Sequence, residues 1–172
     1  MKKLWVPLLM ALLVAVLMGP AGSAVTAAEP RVTTQSIMIP AAAFAPSADT
    51  FAYLNNGWMM KGTSGVFVAP LHFPAPAVNI RKLTIYAYDH VSSGGQITDV
   101  CAYLFRSVPA AADVTMQGQV CTFGTSDTDP QVFSTTAISP RRVNTVVHGS
   151  YLWVLIPAGD ARFYGVKVTY SY

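Results

Sequence analysis

Charge is what this chain has least of. Charged residues make up 11% of its 172 positions, less than half the roughly 25% usual in soluble domains. Glutamate occurs once, at Glu29, and histidine three times, at His72, His90 and His148. A glycosidase resting on two carboxylates would have to draw both from seven aspartates, most of them in turns where Asp has structural reasons to be. The histidines fall in no HExxH or similarly spaced ligand set, and there is no GxSxG elbow, so the common zinc and serine hydrolase signatures are missing. A secreted hydrolase assembled from scattered positions remains the alternative. Its mark would be a pocket in which His72, His90 or His148 meets a Ser or Asp.

Basic clustering is absent as well. From Glu29 onward nine Lys and Arg stand against eight Asp and Glu, and only Arg81–Lys82 and Arg141–Arg142 adjoin. Nucleic-acid binders carry basic stripes, so that partner class is excluded. Cysteine is limited to Cys101 and Cys121. The only long apolar run, Leu4 to Met18, has 15 residues, short of the roughly 20 that cross a bilayer as a helix. It follows Lys2 and Lys3 and precedes Gly19, Pro20 and Gly22, the order of a secretory signal peptide. Small residues allow cleavage after Ala24 or Ala28. The expectation is an exported chain, secreted, periplasmic or at the cell surface, with one domain over residues 29–172 and no membrane span once residues 1–28 are removed.

Helical periodicity is missing beyond the leader. Short β-branched and aromatic runs recur about every ten residues between Pro, Gly, Asn, Asp and Ser. Strands are predicted at Gln35–Ile39, Gly57–Lys61, Gly65–His72, Val78–Tyr88, Ile97–Val108, Val114–Thr125, Gln131–Ile138, Val143–Ile156 and Arg162–Tyr172. Leu83, Ile85 and Ala87 alternate with Thr84, Tyr86 and Tyr88, and Val166, Val168 and Tyr170 with Lys167, Thr169 and Ser171, so these strands have one core side and one amphipathic side. Tyr151 to Ile156 is apolar on both sides and predicts a central strand covered on both faces. The fold class is all-β: an antiparallel β-sandwich, jelly-roll-like, of eight to nine strands. A small outer-membrane barrel is the competing architecture, suggested by the alternating Val166 to Tyr172. Pro70, Pro74 and Pro76 argue against it by interrupting its would-be strands.

An even cysteine count in an exported chain reads as one disulfide. A hairpin pivoting at Ala111, within a turn from Pro109 to Asp113, sets Cys101 directly opposite Cys121. Asp127 and Asp129 form a DxD pair that could give two oxygens to calcium, with Asp89 and Asp99 as further ligands only if folding brings them alongside. Calcium wants six to eight oxygens, so an ordinary polar turn is the simpler reading, and no cofactor or metal is expected. Among the aromatics, Tyr53, Trp58, Tyr86, Tyr88, Tyr103 and Trp153 could stack on sugars. Trp58, beside Asn55, Asn56 and Gly57, is the candidate ligand contact. The expected function is non-enzymatic: an exported sandwich acting through its surface, by self-assembly into a homo-oligomer or by binding a partner or polymer such as a glycan.

Overall fold

The computed structural model describes residues 32–48, 54–55, 57–60, 64–89, 99–123 and 130–172. The leader, His90, and the Asp127/Asp129 pair lie outside the described residues. The strands are β1 (Thr34–Pro40), β2 (Ala45–Pro46), β3 (Leu54–Asn55), β4 (Met59–Met60), β5 (Gly65–Leu71), β6 (Ala77–Asp89), β7 (Cys101–Val108), β8 (Asp113–Cys121), β9 (Gln131–Thr135), β10 (Arg142–Asn144), β11 (Gly149–Ile156) and β12 (Ala161–Ser171). Eight have five residues or more, as the recurrence of apolar runs predicts. The others are two- or three-residue pairings at sheet margins.

Two antiparallel sheets face each other. The seven-stranded sheet is built on β6 and β12, with β1 and β4 on the β12 side, β3 beyond β4, and β9 and β10 on the β6 side. The five-stranded sheet runs β2-β5-β11-β7-β8. Strand alternation fills the space between them: Ile80, Leu83, Ile85, Phe163, Val166 and Val168 from one side meet Phe67, Leu104, Leu152, Val154 and Ile156 from the other, all fully buried. A transmembrane barrel would be one closed sheet. The filled core between two separate sheets excludes that architecture.

Several boundaries differ from the sequence expectation: β4 is only Met59–Met60 within the predicted Gly57–Lys61, and β9 ends at Thr135 rather than Ile138. The predicted strand Val143–Ile156 is two, because the Asn144 side chain accepts from the Val146 amide at 3.0 Å and its carbonyl accepts from the His148 amide at 2.9 Å, closing a turn between β10 and β11. Asn is a turn former for this reason. Strand β7 begins at Cys101 rather than Ile97, and β8 ends at Cys121 rather than Thr125.

The β7–β8 hairpin has the expected disulfide. Cys101 and Cys121 are bonded, with Cα atoms 4.1 Å apart, and are direct cross-strand partners. The register that puts them there changes partway. Val108 faces Asp113 and Phe105 faces Met116, whereas Leu104 faces Gly118. One extra residue, Gln117, is therefore accommodated in β8 as a bulge. Its backbone carbonyl accepts from the Ser139 amide at 2.7 Å and its side-chain amide donates to the Pro140 carbonyl at 2.6 Å.

The sandwich is unlike on its two outer sides. On the seven-stranded sheet Lys82, Tyr86 and Tyr88 of β6, Arg162, Lys167 and Thr169 of β12, and Ser36 of β1 point outward. Ser36 Oγ and Thr169 Oγ1 pair at 3.0 Å. The outward positions of the five-stranded sheet hold Val66, Val68 and Pro70 on β5, Tyr151, Trp153 and Leu155 on β11, Tyr103 and Phe105 on β7, and Val114 and Met116 on β8. Among the described residues no charged side chain occupies this face. The expectation that Tyr151 to Ile156 is covered on both faces is half met. Strand β11 is central, paired to both β5 and β7, yet Trp153 is 40% exposed, because a two-layer sandwich buries one face of each sheet only.

Candidate functional site

The outer side of the five-stranded sheet presents four aromatic rings as a group. Tyr103 and Phe105 are two apart on β7, Tyr151 and Trp153 two apart on β11, and the register sets Trp153 against Tyr103 and Tyr151 against Phe105. Residues two apart share a face and cross-strand neighbours are within reach of each other, so these rings have to meet. Phe105 and Tyr151 are stacked at 5.3 Å between centroids and 13° between planes. Trp153 leans on Phe105 at 4.9 Å and 54°. Tyr103 stands 6.4 Å from Phe105. Burial raises the phenols of Tyr103 and Tyr151 above their ordinary value of 10.0, which favours the neutral form that can both donate and accept. Beside the rings lies a shallow hollow of about 280 Å³ lined by Val66, Tyr103, Phe105, Met116, Trp153 and Leu155.

At one end the aromatic group opens into a polar cleft of about 460 Å³. Tyr151 forms part of both. The end of β5 contributes His72 and Phe73, the turn before β11 contributes Thr145 and His148, and Ser107 and Ser150 come from β7 and β11. The turn is pinned from two directions: besides the Asn144 bonds, the Thr145 hydroxyl donates to the Ala75 carbonyl at 2.7 Å and its amide to the Pro76 carbonyl at 2.9 Å. Ser107 Oγ donates to the Gly149 carbonyl at 3.4 Å. A Cβ on Gly149 would lie 2.7 Å from that Oγ, so a larger residue here would have to turn the Ser107 hydroxyl aside. Two histidines and two serines thus meet, the mark set for a hydrolase. However, among the described residues no Asp or Glu lines the cleft, and His148 Nδ1 and Ser150 Oγ have no hydrogen-bond partner.

Trp58, the residue singled out by sequence, lies away from this face. It is half-buried, and the Arg162 guanidinium sits over its ring at 4.7 Å and over the Tyr88 ring at 5.0 Å. Arg162 also faces Asp160 at 3.6 Å. Tyr103 and Trp153 from the sequence's aromatic candidates are brought together, whereas Phe105, Tyr151 and the cleft were not singled out. The paired i, i+2 spacing in two adjacent strands was the available signal for the first two. Nothing local could join His72 to His148 across 76 positions.

Asp89 and Asp99 are both buried. Thr122 links their strands: its hydroxyl donates to Asp89 Oδ2 at 2.5 Å and accepts from the Val100 amide at 3.0 Å. Among the described residues no group of three His, Cys, Asp or Glu is placed to hold a metal ion, and no helix is long and apolar enough to cross a membrane.

No family model matches the chain. No curated protein matches it in sequence. Solved structures do match in fold. The tryptic core variant of Bacillus thuringiensis Cry1Da superposes with a TM-score of 0.50 at 8% identity, over 80% of this chain and 23% of that one. The C-terminal CBM6 of LamC from Zobellia galactanivorans gives 0.49 at 13% identity, over 78% of this chain and 99% of that one. The CBM36-1 domain of a multidomain xylanase from the hindgut metagenome of Trinervitermes trinervoides gives 0.47 at 11% identity, over 78% and 96%.

Proposed function

We propose that this chain is an exported, non-catalytic binding module that holds a polysaccharide against the outer face of its five-stranded sheet. The observation that carries the reading is the group of Tyr103, Phe105, Tyr151 and Trp153 on an uncharged face, with Trp153 40% exposed. Sugar rings have an apolar C–H side that lies well on an aromatic surface, and amphipathic aromatics supply large contact area at little entropic cost. The Tyr103 and Tyr151 hydroxyls and Gln119, opposite Tyr103, give hydrogen bonds at the margin. Export is supported by the leader and by the disulfide. A hydrolase is disfavoured because the cleft offers neither an orienting carboxylate nor a nucleophile–base hydrogen bond.

Affinity electrophoresis through gels containing a panel of neutral and acidic polysaccharides tests the reading. At least one polymer should retard the wild type. Trp153→Ala should weaken that retardation roughly tenfold or more, as expected for an exposed aromatic anchor, with an unchanged melting curve. Retardation by none of the panel, or equal retardation of the variant, would sink the proposal.

A second occupant of the same face is another copy of the chain. It is favoured by Val114 and Met116, 53% and 50% exposed beside the rings, since apolar patches of this kind commonly mark association surfaces. Light scattering over a dilution series should then show a mass above the monomer that falls on dilution. A monomer mass throughout leaves the face to the polymer.

A further inference from the structure

The polar cleft has a chemical signature that the aromatic face lacks. Three polar atoms at this end of the five-stranded sheet are buried with no hydrogen-bond partner among the described residues: His148 Nδ1, Ser150 Oγ and Arg106 Nε. Arg106 and Ser150 are direct cross-strand partners on β7 and β11. They share the inward parity of Leu104 and Leu152, just where the sandwich core gives way to solvent. A buried polar group left unmatched is destabilising, and more so when it is charged. His148 and Ser150 line the open cleft, where a ligand would satisfy them, and Arg106 lies behind Ser150 as its cross-strand partner.

The sign of the charge identifies the ligand's chemistry. Arg106 has no ion pair among the described residues, and the cleft is lined by His72 and His148 but by no Asp or Glu. Ser107 and Ser150 add hydroxyls, while Phe73 and Tyr151 supply apolar walls. The volume of about 460 Å³ suits one or two sugar rings. Tyr151 is continuous with the aromatic group through its stack on Phe105.

We infer that this cleft is a subsite for a carboxylate-bearing sugar residue at the end of the bound chain. His148 and Ser150 meet its polar oxygens, Arg106 behind them sets the positive potential, and Tyr151 carries the apolar side of the ring. The inference rests on the polysaccharide reading only for its biological setting, since the cleft stands or falls with a single sugar.

Isothermal titration of the whole exported domain with D-glucuronate, D-glucose and acetate tests it. Glucuronate should bind at millimolar concentration at least about tenfold more tightly than glucose or acetate, the difference a charge-assisted hydrogen bond makes, and should weaken as salt is raised. Ser150→Ala and His148→Gln should each weaken glucuronate several-fold or more, while Thr169→Ala, on the outer side of the other sheet, leaves it unchanged. Equal binding of glucose removes the charge argument, equal binding of acetate removes the sugar, and no binding of glucuronate overturns the subsite. If a cleft variant fails to fold, the wild-type ligand ranking and its salt dependence decide alone. Loss of polymer retardation with glucuronate binding intact would count against the aromatic face and not against the cleft.

Discussion

Replacing Phe163 with alanine is expected to remove about 3–5 kcal/mol of stability, the range for emptying a buried aromatic site. Phe163 is fully buried on the inner face of β12, with Phe44 edge-on to it at 5.0 Å and 87°. Its cross-strand neighbour on β6 is Ala87, too small to swing into the space. Total stability for a domain of this size is commonly 5–15 kcal/mol, so the variant should sit close to its unfolding threshold. Urea denaturation measures the loss. A shift of the midpoint equivalent to less than about 1.5 kcal/mol would show that Phe44 collapses into the site and that the two rings do not form a rigid contact.

Removing the disulfide by the paired change Cys101→Ala and Cys121→Ala is expected to lower stability by about 3 kcal/mol, the value for closing a loop of this length in the chain-entropy model. The sequence separation is 20. The fold should survive, because β7 is also held along its length by β11. Reduced wild-type protein and the double variant should then unfold at the same denaturant concentration. A loss below about 1 kcal/mol would mean that the strand ladder alone restricts the unfolded hairpin as strongly as the covalent link does.

Much of this fold was legible because a strand declares itself by alternation. The inward sets Leu83, Ile85, Ala87 and Val166, Val168, Tyr170 were readable in the sequence and are buried. Counting about Ala111 pairs Cys101 with Cys121, whereas the turn actually pairs Val108 with Asp113 and it is the bulge at Gln117 that brings the two cysteines opposite each other. The bulge at Gln117 was not readable, since an extra residue in one strand leaves the apolar pattern on either side intact and shows only as a change of register. The break after Asn144 lay in a side-chain bond to the backbone rather than in hydropathy.

The functional face was half legible for a related reason. Tyr151 to Ile156 announced a strand apolar on both sides, but alternation cannot say whether the second side meets another layer or solvent. Trp58 was singled out by its Asn and Gly neighbours, and what actually stands over its ring is Arg162, 104 positions away. The cleft depended on three separate strand ends arriving together. Asp127 and Asp129 fall outside the described residues.

The bulge in β8 also constrains which length changes the hairpin can absorb. Between the turn and Met116 the facing residues sum to 221, and from Gly118 to Cys121 they sum to 222. The two stretches keep different counts, and Gln117 is the single step between them. Because Gln117 is the one residue without an opposite number, deleting it would join the two stretches into a single regular ladder and leave Cys121 opposite Cys101. What such a deletion would give up is the tie from Gln117 to Ser139 and Pro140, so the bulge anchors the stem to the neighbouring chain rather than setting the position of the covalent link.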